Sequence, residues 1–139
     1  MNNFQFLDSY FENSWKHVVS SITDPKSFDD GYAIFKFAQA LVDHPAAVKL
    51  ATSNVLKEFA EDNVVYIELR STPRDCAAKM TKKEYIESIV QSIKGQSDIK
   101  ARLLVSIDRR KSIEEANENV KLAIELRNKY PEVIVGVDL

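Results

Sequence analysis

The stretch Val64-Val65-Tyr66-Ile67-Glu68-Leu69, followed at once by Arg70-Ser71-Thr72-Pro73-Arg74, decides the fold. Its first six residues have strand length and are rich in branched and aromatic side chains. Two similar runs follow, Arg102-Leu103-Leu104-Val105-Ser106-Ile107 and Val133-Ile134-Val135-Gly136-Val137. The starts fall at residues 64, 102 and 133, and a longer helical pattern fills each gap. That is the spacing of βαβ units, and therefore of a parallel sheet.

The intervening helices announce their own starts. Thr81-Lys82-Lys83-Glu84 and Ser112-Ile113-Glu114-Glu115 both read as capping boxes, in which hydroxyl and carboxylate each satisfy an exposed backbone amide. After Thr81, the residues Tyr85, Ile86, Ile89, Val90 and Ile93 form one apolar stripe that Gly95 ends. After Ser112, the residues Ala116, Val120, Ala123, Ile124 and Arg127 recur at helical spacing until Pro131 forbids continuation. The charges of this second helix (Glu114, Glu115, Glu118, Lys121, Glu125, Arg127) read as a solvated face with pairs three and four residues apart.

Residues 1–63 read as helical. Leu7, Tyr10, Phe11, Trp15, Val18, Val19 and Ile22 suit a first amphipathic helix, which Asp24-Pro25 breaks. Ser27-Phe28-Asp29-Asp30 caps a second helix carrying Ala33, Ile34, Phe37 and Leu41. Pro45 stands at the first turn of a third, which runs towards Asn63. The class is α/β in one domain, residues 1–139, with a helical segment 1–63 and a β-α-β-α-β portion 64–139. Right-handed crossovers between strands ordered one-two-three place every crossover helix on the same face. A parallel sheet must be covered on both faces. Either the N-terminal helices cover the second face, or the three strands are part of a barrel, which when complete takes about 250 residues.

Composition narrows the chemistry. The chain has 139 residues, 45% hydrophobic and 29% charged, the balance of a folded soluble unit. Nineteen basic against 21 acidic residues create no field suited to a nucleic-acid backbone or an anionic membrane. No apolar run approaches the ~20 residues of a membrane span, and the start lacks the pattern of a signal peptide. One cysteine, Cys76, rules out an internal disulfide and suits a reducing, cytoplasmic location. Three glycines carry no dinucleotide or P-loop fingerprint. His17 and His44 are the only histidines, with no HxH, HxxEH or CxxC, so zinc ligation by this chain alone is not expected.

In parallel α/β folds, chemistry gathers at the carboxyl ends of the strands. Those ends are polar: Arg70-Ser71-Thr72-Pro73-Arg74, Asp108-Arg109-Arg110 and Asp138. Ser71 and Thr72 offer hydroxyls and amides. Arg74 offers a planar fork for phosphate or carboxylate, and Asp108 can accept from a sugar hydroxyl or base amine. The plain alternative is an ordinary Ser-Thr-Pro turn with solvated arginines. Glu68, inside a run expected to be buried on both faces, calls for a cationic partner such as Arg70 or Arg102 in a structural ion pair.

These strand ends resemble a known family. Val64 to Arg74 looks like the second-strand motif of the adenosine deaminase-like proteins. Leu103-Leu104-Val105-Ser106-Ile107-Asp108-Arg109-Arg110 looks like their third strand and Val135-Gly136-Val137-Asp138-Leu139 like their fourth. The segments Leu56 to Asn63 and Met80 to Ile89 fit as well. The Ser-Thr-Pro-Arg segment is similar to that of the N6-methyl-AMP deaminase branch. The resemblance implies a partial TIM (β/α)8 barrel from a zinc-dependent enzyme that hydrolyses the 6-amino or 6-alkylamino group from a purine nucleotide. It implies that Ser71, Thr72, Pro73 and Arg74 line the nucleotide site, with Arg74 on the phosphate, and that Asp108 contacts the nucleotide from strand three. It also implies departures. The family's HxH pair lies on a first strand, before the residues present. Its Ser-Gly dipeptide follows the position of Leu139, and its third zinc His, catalytic Glu and zinc Asp come later. A helix position at which relatives carry a substrate His is Gln39. The chain therefore reads as strands two to four of a larger enzyme, a partial chain with no metal ligands and no catalytic residue of its own. Its expected partner is a small-molecule purine nucleotide, with no nucleic acid or membrane, and its expected state is a monomer. The competing readings are a non-enzymatic module that binds a nucleotide phosphate and a purely structural α/β unit.

Overall fold

The computed structural model describes residues 39–139. The backbone divides into two units, Met1–Val42 and Asp43–Leu139. In the first, residues 39–41 are helical. The helices predicted before them, the Ser27 box and His17 lie outside the described residues.

The second unit alternates helix and strand: α1 Pro45–Glu61, β1 Tyr66–Ser71, α2 Lys82–Lys94, β2 Lys100–Ser106, α3 Ile113–Lys129 and β3 Ile134–Asp138. The strands form one sheet in the order β1-β2-β3, and both pairings are parallel. The α/β class and the parallel three-stranded sheet thus follow the sequence reading.

Local chemistry accounts for the boundaries. Pro45 opens α1, where its missing amide costs nothing. At the other end the amide of Asn63 bonds the Ala60 carbonyl at 3.1 Å, and that of Val64 bonds the Phe59 carbonyl at 2.9 Å. This is a Schellman closure, and it holds Asn63 at φ 63 in the left-handed region. At α2 both halves of the capping box form. The Glu84 amide donates to Thr81 Oγ1 at 3.2 Å, and the Thr81 amide donates to Glu84 Oε2 at 2.8 Å. Gly95 caps the other end in ordinary right-handed geometry. At α3 Ser112 Oγ accepts from the Glu115 amide.

The core lies between the helices and one face of the sheet. Ile86, Ile89, Val90 and Ile93 of α2, Ala123 and Leu126 of α3, and Ala101, Leu103 and Val105 of β2 are all buried. Along β1 the residues Ile67, Leu69 and Ser71 turn inward, while Tyr66, Glu68 and Arg70 are exposed. Neighbouring α2 and α3 are tied by Lys82–Glu118 at 2.9 Å, Lys83–Glu125 at 2.6 Å and Lys129–Glu87 at 2.8 Å. So α3 directs much of its charge sideways to α2 rather than only along itself. Ile124, expected in its apolar stripe, is 57% exposed, and Leu126 takes the core position instead.

Glu68 corrects an expectation. It is exposed on the second face of the sheet and accepts from the Tyr66 hydroxyl at 2.6 Å. Arg102 stands beside it in the strand register, but no ion pair joins the two. The face is open among the described residues, so the carboxylate stays hydrated and has no need of a buried cation.

The β2–β3 register breaks once. Leu103 pairs with Ile134, but Leu104 pairs with Gly136, so Val135 is a bulge residue. Arg127 of α3 donates through Nη1 to the Val135 carbonyl at 2.8 Å and satisfies an acceptor in the irregular stretch. Gly136 lies close to its neighbour across the ladder: a Cβ there would sit 3.3 Å from Leu104 Cδ2. Among the described residues no helix is long and apolar enough to cross a membrane.

Candidate functional site

The carboxyl ends of all three strands open onto one cleft of ≈ 510 Å³. It is lined by Arg70, Ser71, Thr72, Ser106, Ile107, Asp108, Arg109, Arg110 and Leu139. Three guanidiniums and one carboxylate in that lining favour an anionic ligand.

Each side chain arrives there by strand parity. Arg70, Ser106 and Asp138 share the open face: Ser106 pairs with Asp138, and Arg70, which pairs with Leu104, reaches them diagonally along the sheet. Arg70 Nη2 forms an ion pair with Asp138 Oδ2, and Arg70 Nε donates a long hydrogen bond to Ser106 Oγ at 3.5 Å. The Arg70 side chain is 64% exposed and that of Asp138 30% exposed, so the pair sits at the rim of water. Ser71, one residue on, turns to the helix side, and its Oγ shares a 2.7 Å hydrogen bond with the Tyr85 hydroxyl of α2.

Of the residues expected at the site, the structure brings Ser71, Thr72 and Asp108 together in the cleft lining. Pro73 is fully buried beneath the turn. Arg74 is half-buried and directed to α2, with its guanidinium 5.4 Å from the Tyr85 ring centroid. Arg74, Tyr85 and Ser71 therefore form one linked set that fixes the turn after β1. Gln39 is exposed and belongs to the unit Met1–Val42. Arg70 and Ser106, which the sequence reading did not place in a ligand site, line the cleft. Period-two alternation was the available signal: Arg70 shares the face of Glu68, and Ser106 that of Leu104.

Asp108 is held tightly. Arg110 grips it with Nε on Oδ1 at 2.9 Å and Nη2 on Oδ2 at 2.8 Å, and the Arg110 amide adds a bond to Oδ1 at 3.0 Å. The two kinds of donor from Arg110 lower its pKa to about 2. Asp43 is also lowered to about 2, by hydrogen bonds from Lys79 and then His44. Both carboxylates have folded-state values below the ordinary 3.8. The unfolded chain therefore takes up protons first. The stabilisation from these groups is complete above pH ~4 and disappears as pH falls to ~2. Urea midpoints measured from pH 5 to pH 2 should drop through that window, and the drop should shrink in high salt because both pairs are near water.

Among the described residues no three His, Cys, Asp or Glu side chains converge to hold a metal ion. His44 stands at the N-cap position of α1 with its ring Nδ1 2.8 Å from Asp43 Oδ1 and no side-chain bond to the helix, and Cys76 is a half-buried free thiol. The described residues do not fit a zinc site.

Comparison with known proteins gives these strand ends a context. Residues 6–139 match the adenosine deaminase family. N6-methyl-AMP deaminase of Bos taurus is 41% identical over 121 residues, which are 84% of this chain and 34% of that protein. N6-methyl-AMP deaminase-L of Xenopus laevis is 39% identical over 118 residues, 82% of this chain and 34% of that one. The chain thus spans about a third of the length of these curated relatives. The apo structure of the N6-methyl-AMP deaminase from Arabidopsis thaliana superposes with a TM-score of 0.76 at 32% identity, covering 96% of this chain and 42% of that one. The structure of the ADAL–IMP complex also gives 0.76, at 33% identity, covering 97% and 43%. The three strands and their outer helices are an arc of a TIM (β/α)8 barrel, and the chain belongs to the adenosine deaminase family.

Proposed function

We propose that this chain provides part of the nucleotide-binding wall of a deaminase that converts N6-methyl-AMP and water to IMP and methylamine. The observation that carries the reading is the coincidence of two things. Relatives named for N6-methyl-AMP match over most of the chain, and the cationic cleft lies at the strand ends where barrel enzymes bind substrate. In this reading Ser71 and Thr72 give hydroxyls to the nucleotide. Asp108, ionised and clamped by Arg110, contacts it from the end of β2. Pro73 and Arg74 set the shape of the turn that presents Ser71 and Thr72. Zinc belongs to this reading as the family's cofactor. The described residues do not furnish its ligands, and no part of this chain's role runs through a metal.

The 139-residue chain by itself is accordingly expected to bind product without turning over substrate. Incubated with N6-methyl-AMP and added zinc, it should release methylamine no faster than a metal-free control, while calorimetry should detect binding of IMP. Turnover above the control would overturn the inactivity. Folded protein that ignores IMP would overturn the nucleotide role.

A further inference from the structure

The turn between β2 and α3 carries a pattern that the nucleotide cleft does not absorb. It reads Arg109-Arg110-Lys111-Ser112-Ile113: three cations, a hydroxyl and a branched apolar side chain. Ser112 is the one serine or threonine in the sequence with arginine three residues before it, and a second arginine stands two residues before it. All five residues are exposed. The Arg110 side chain is 89% exposed even while it holds Asp108, and Ile113 is 75% exposed, so this apolar side chain at the start of α3 adds little to the core. The backbone at Ser112 is extended, with φ -69 and ψ 159. The run is held by the Lys111 amide on the Asp108 carbonyl at 3.0 Å and the Arg110 amide on Asp108 Oδ1 at 3.0 Å. At its end the Glu115 amide bonds Ser112 Oγ at 3.2 Å, and the Ala116 amide bonds the Ser112 carbonyl at 3.0 Å. A surface loop so lightly held opens locally at small cost.

We infer that Ser112 is the phosphoryl acceptor for a serine kinase that reads arginines ahead of its target, and that the phosphate there weakens anion binding in the cleft; the acceptor role goes beyond the nucleotide-site reading, and the effect on the cleft rests on it. A kinase of that kind presents carboxylates that take guanidiniums in bidentate pairs and an apolar pocket for the side chain after the serine. Arg109, Arg110 and Ile113 supply those contacts on one exposed run. The Ser112 oxygen bonds the terminal phosphorus of a nucleoside triphosphate, and the bond from that phosphorus to its bridging oxygen breaks. The nucleoside diphosphate departs, and the hydroxyl proton passes to a carboxylate of the kinase. The product places about −1.5 to −2 charges at the start of α3. The helix dipole and Lys111 favour it there, and Glu114 and Glu115 of the first turn oppose it. Arg109 and Arg110 line the cleft, so a phosphate within three residues of both competes for them with an anionic ligand.

The 139-residue chain, incubated with magnesium–ATP and the catalytic subunit of cyclic-AMP-dependent protein kinase, should gain close to one phosphoryl group by intact mass, and peptide fragmentation should place it on Ser112. Ser112→Asn keeps a capping side chain without the hydroxyl, so it should melt like the parent and gain none. Arg109→Ala should slow the transfer by about tenfold or more, because one charge-assisted contact with the kinase is lost. The phosphorylated chain should bind IMP several-fold more weakly than the unphosphorylated chain. Absence of transfer, transfer to another residue, or transfer that survives Ser112→Asn or ignores Arg109→Ala overturns the inference. So does modification by an acidophilic kinase alone, since Glu114 and Glu115 are then what is read. IMP affinity unchanged by a full phosphoryl load overturns the effect on the cleft. An unmodified, folded chain that binds no IMP overturns the nucleotide-site reading and with it that effect, while the mass of the kinase-treated chain still decides the acceptor role of Ser112.

Discussion

Leu103→Ala should destabilise the β-α-β-α-β unit by about 3 kcal/mol, within the range of roughly 2–5 found for buried leucines. Leu103 is fully buried on the central strand, where it pairs with Leu69 on one side and Ile134 on the other. It faces the helix layer that holds Ile86, Val90 and Leu126, each with no exposed surface. Truncation removes apolar contact and leaves a void that close-packed neighbours on two strands and two helices cannot fill without moving. A loss of that size is a large share of the ~5–15 kcal/mol that holds an ordinary domain together. Leu104→Ala is the matched control, because Leu104 is half-buried on the open face. Its cost should be less than half as great, since less area leaves water on folding. Urea denaturation of both variants checks the contrast, and equal losses would mean that the two faces are equally covered.

The second large effect lies at the end of α1. Asn63→Val should cost about 2 kcal/mol, because Asn63 sits at φ 63 and a branched Cβ collides with the backbone in that region. The Schellman bonds from Asn63 and Val64 to Ala60 and Phe59 require that conformation, so the helix end has no cheap alternative. Asn63→Gly should be neutral or slightly stabilising, as glycine enters the same region without strain. Thermal melts of the two variants on opposite sides of the parent would establish that the backbone angle is responsible. If both variants fell equally, a side-chain contact of Asn63 would be the cause instead.

The order of elements was legible because each signal was local. Branched runs marked the strands, Pro45, Thr81 and Ser112 marked helix starts, and Gly95 marked an end. Their spacing alone gave a parallel sheet, and the resemblance at the strand ends pointed to the family that the comparisons show. What failed was anything that depended on which side of an element a residue occupies. Glu68 looked buried because its run is apolar, yet alternation puts it on the open face with Tyr66 and Arg70. Ile124 and Leu126 both fit a helical repeat, and only packing against the sheet chooses Leu126. The α3 carboxylates fit pairs along their own helix, but α2 lies close enough to take Glu118 and Glu125. At the site, Arg74 was legible as part of the recognisable motif, but the place of its guanidinium 5.4 Å from the Tyr85 ring centroid was not. No local pattern reveals a ring supplied by a helix that begins eight residues later.

The irregular step at Val135 sets the chemistry of the cleft. With an unbroken ladder, Asp138 would stand level with Ile107 and project towards the helices, and Val137 would stand beside Ser106. The single additional residue reverses the phase of everything after it, so that the carboxylate comes level with Ser106 and within reach of Arg70. Strand β3 therefore carries two instructions in five residues: its first residue seals the interior, and its last serves the opposite surface. An insertion or deletion between them would leave the sheet's hydrophobic seal at Ile134 in place and take the acid out of the polar set, which makes the count of residues in this short strand as consequential as their identity.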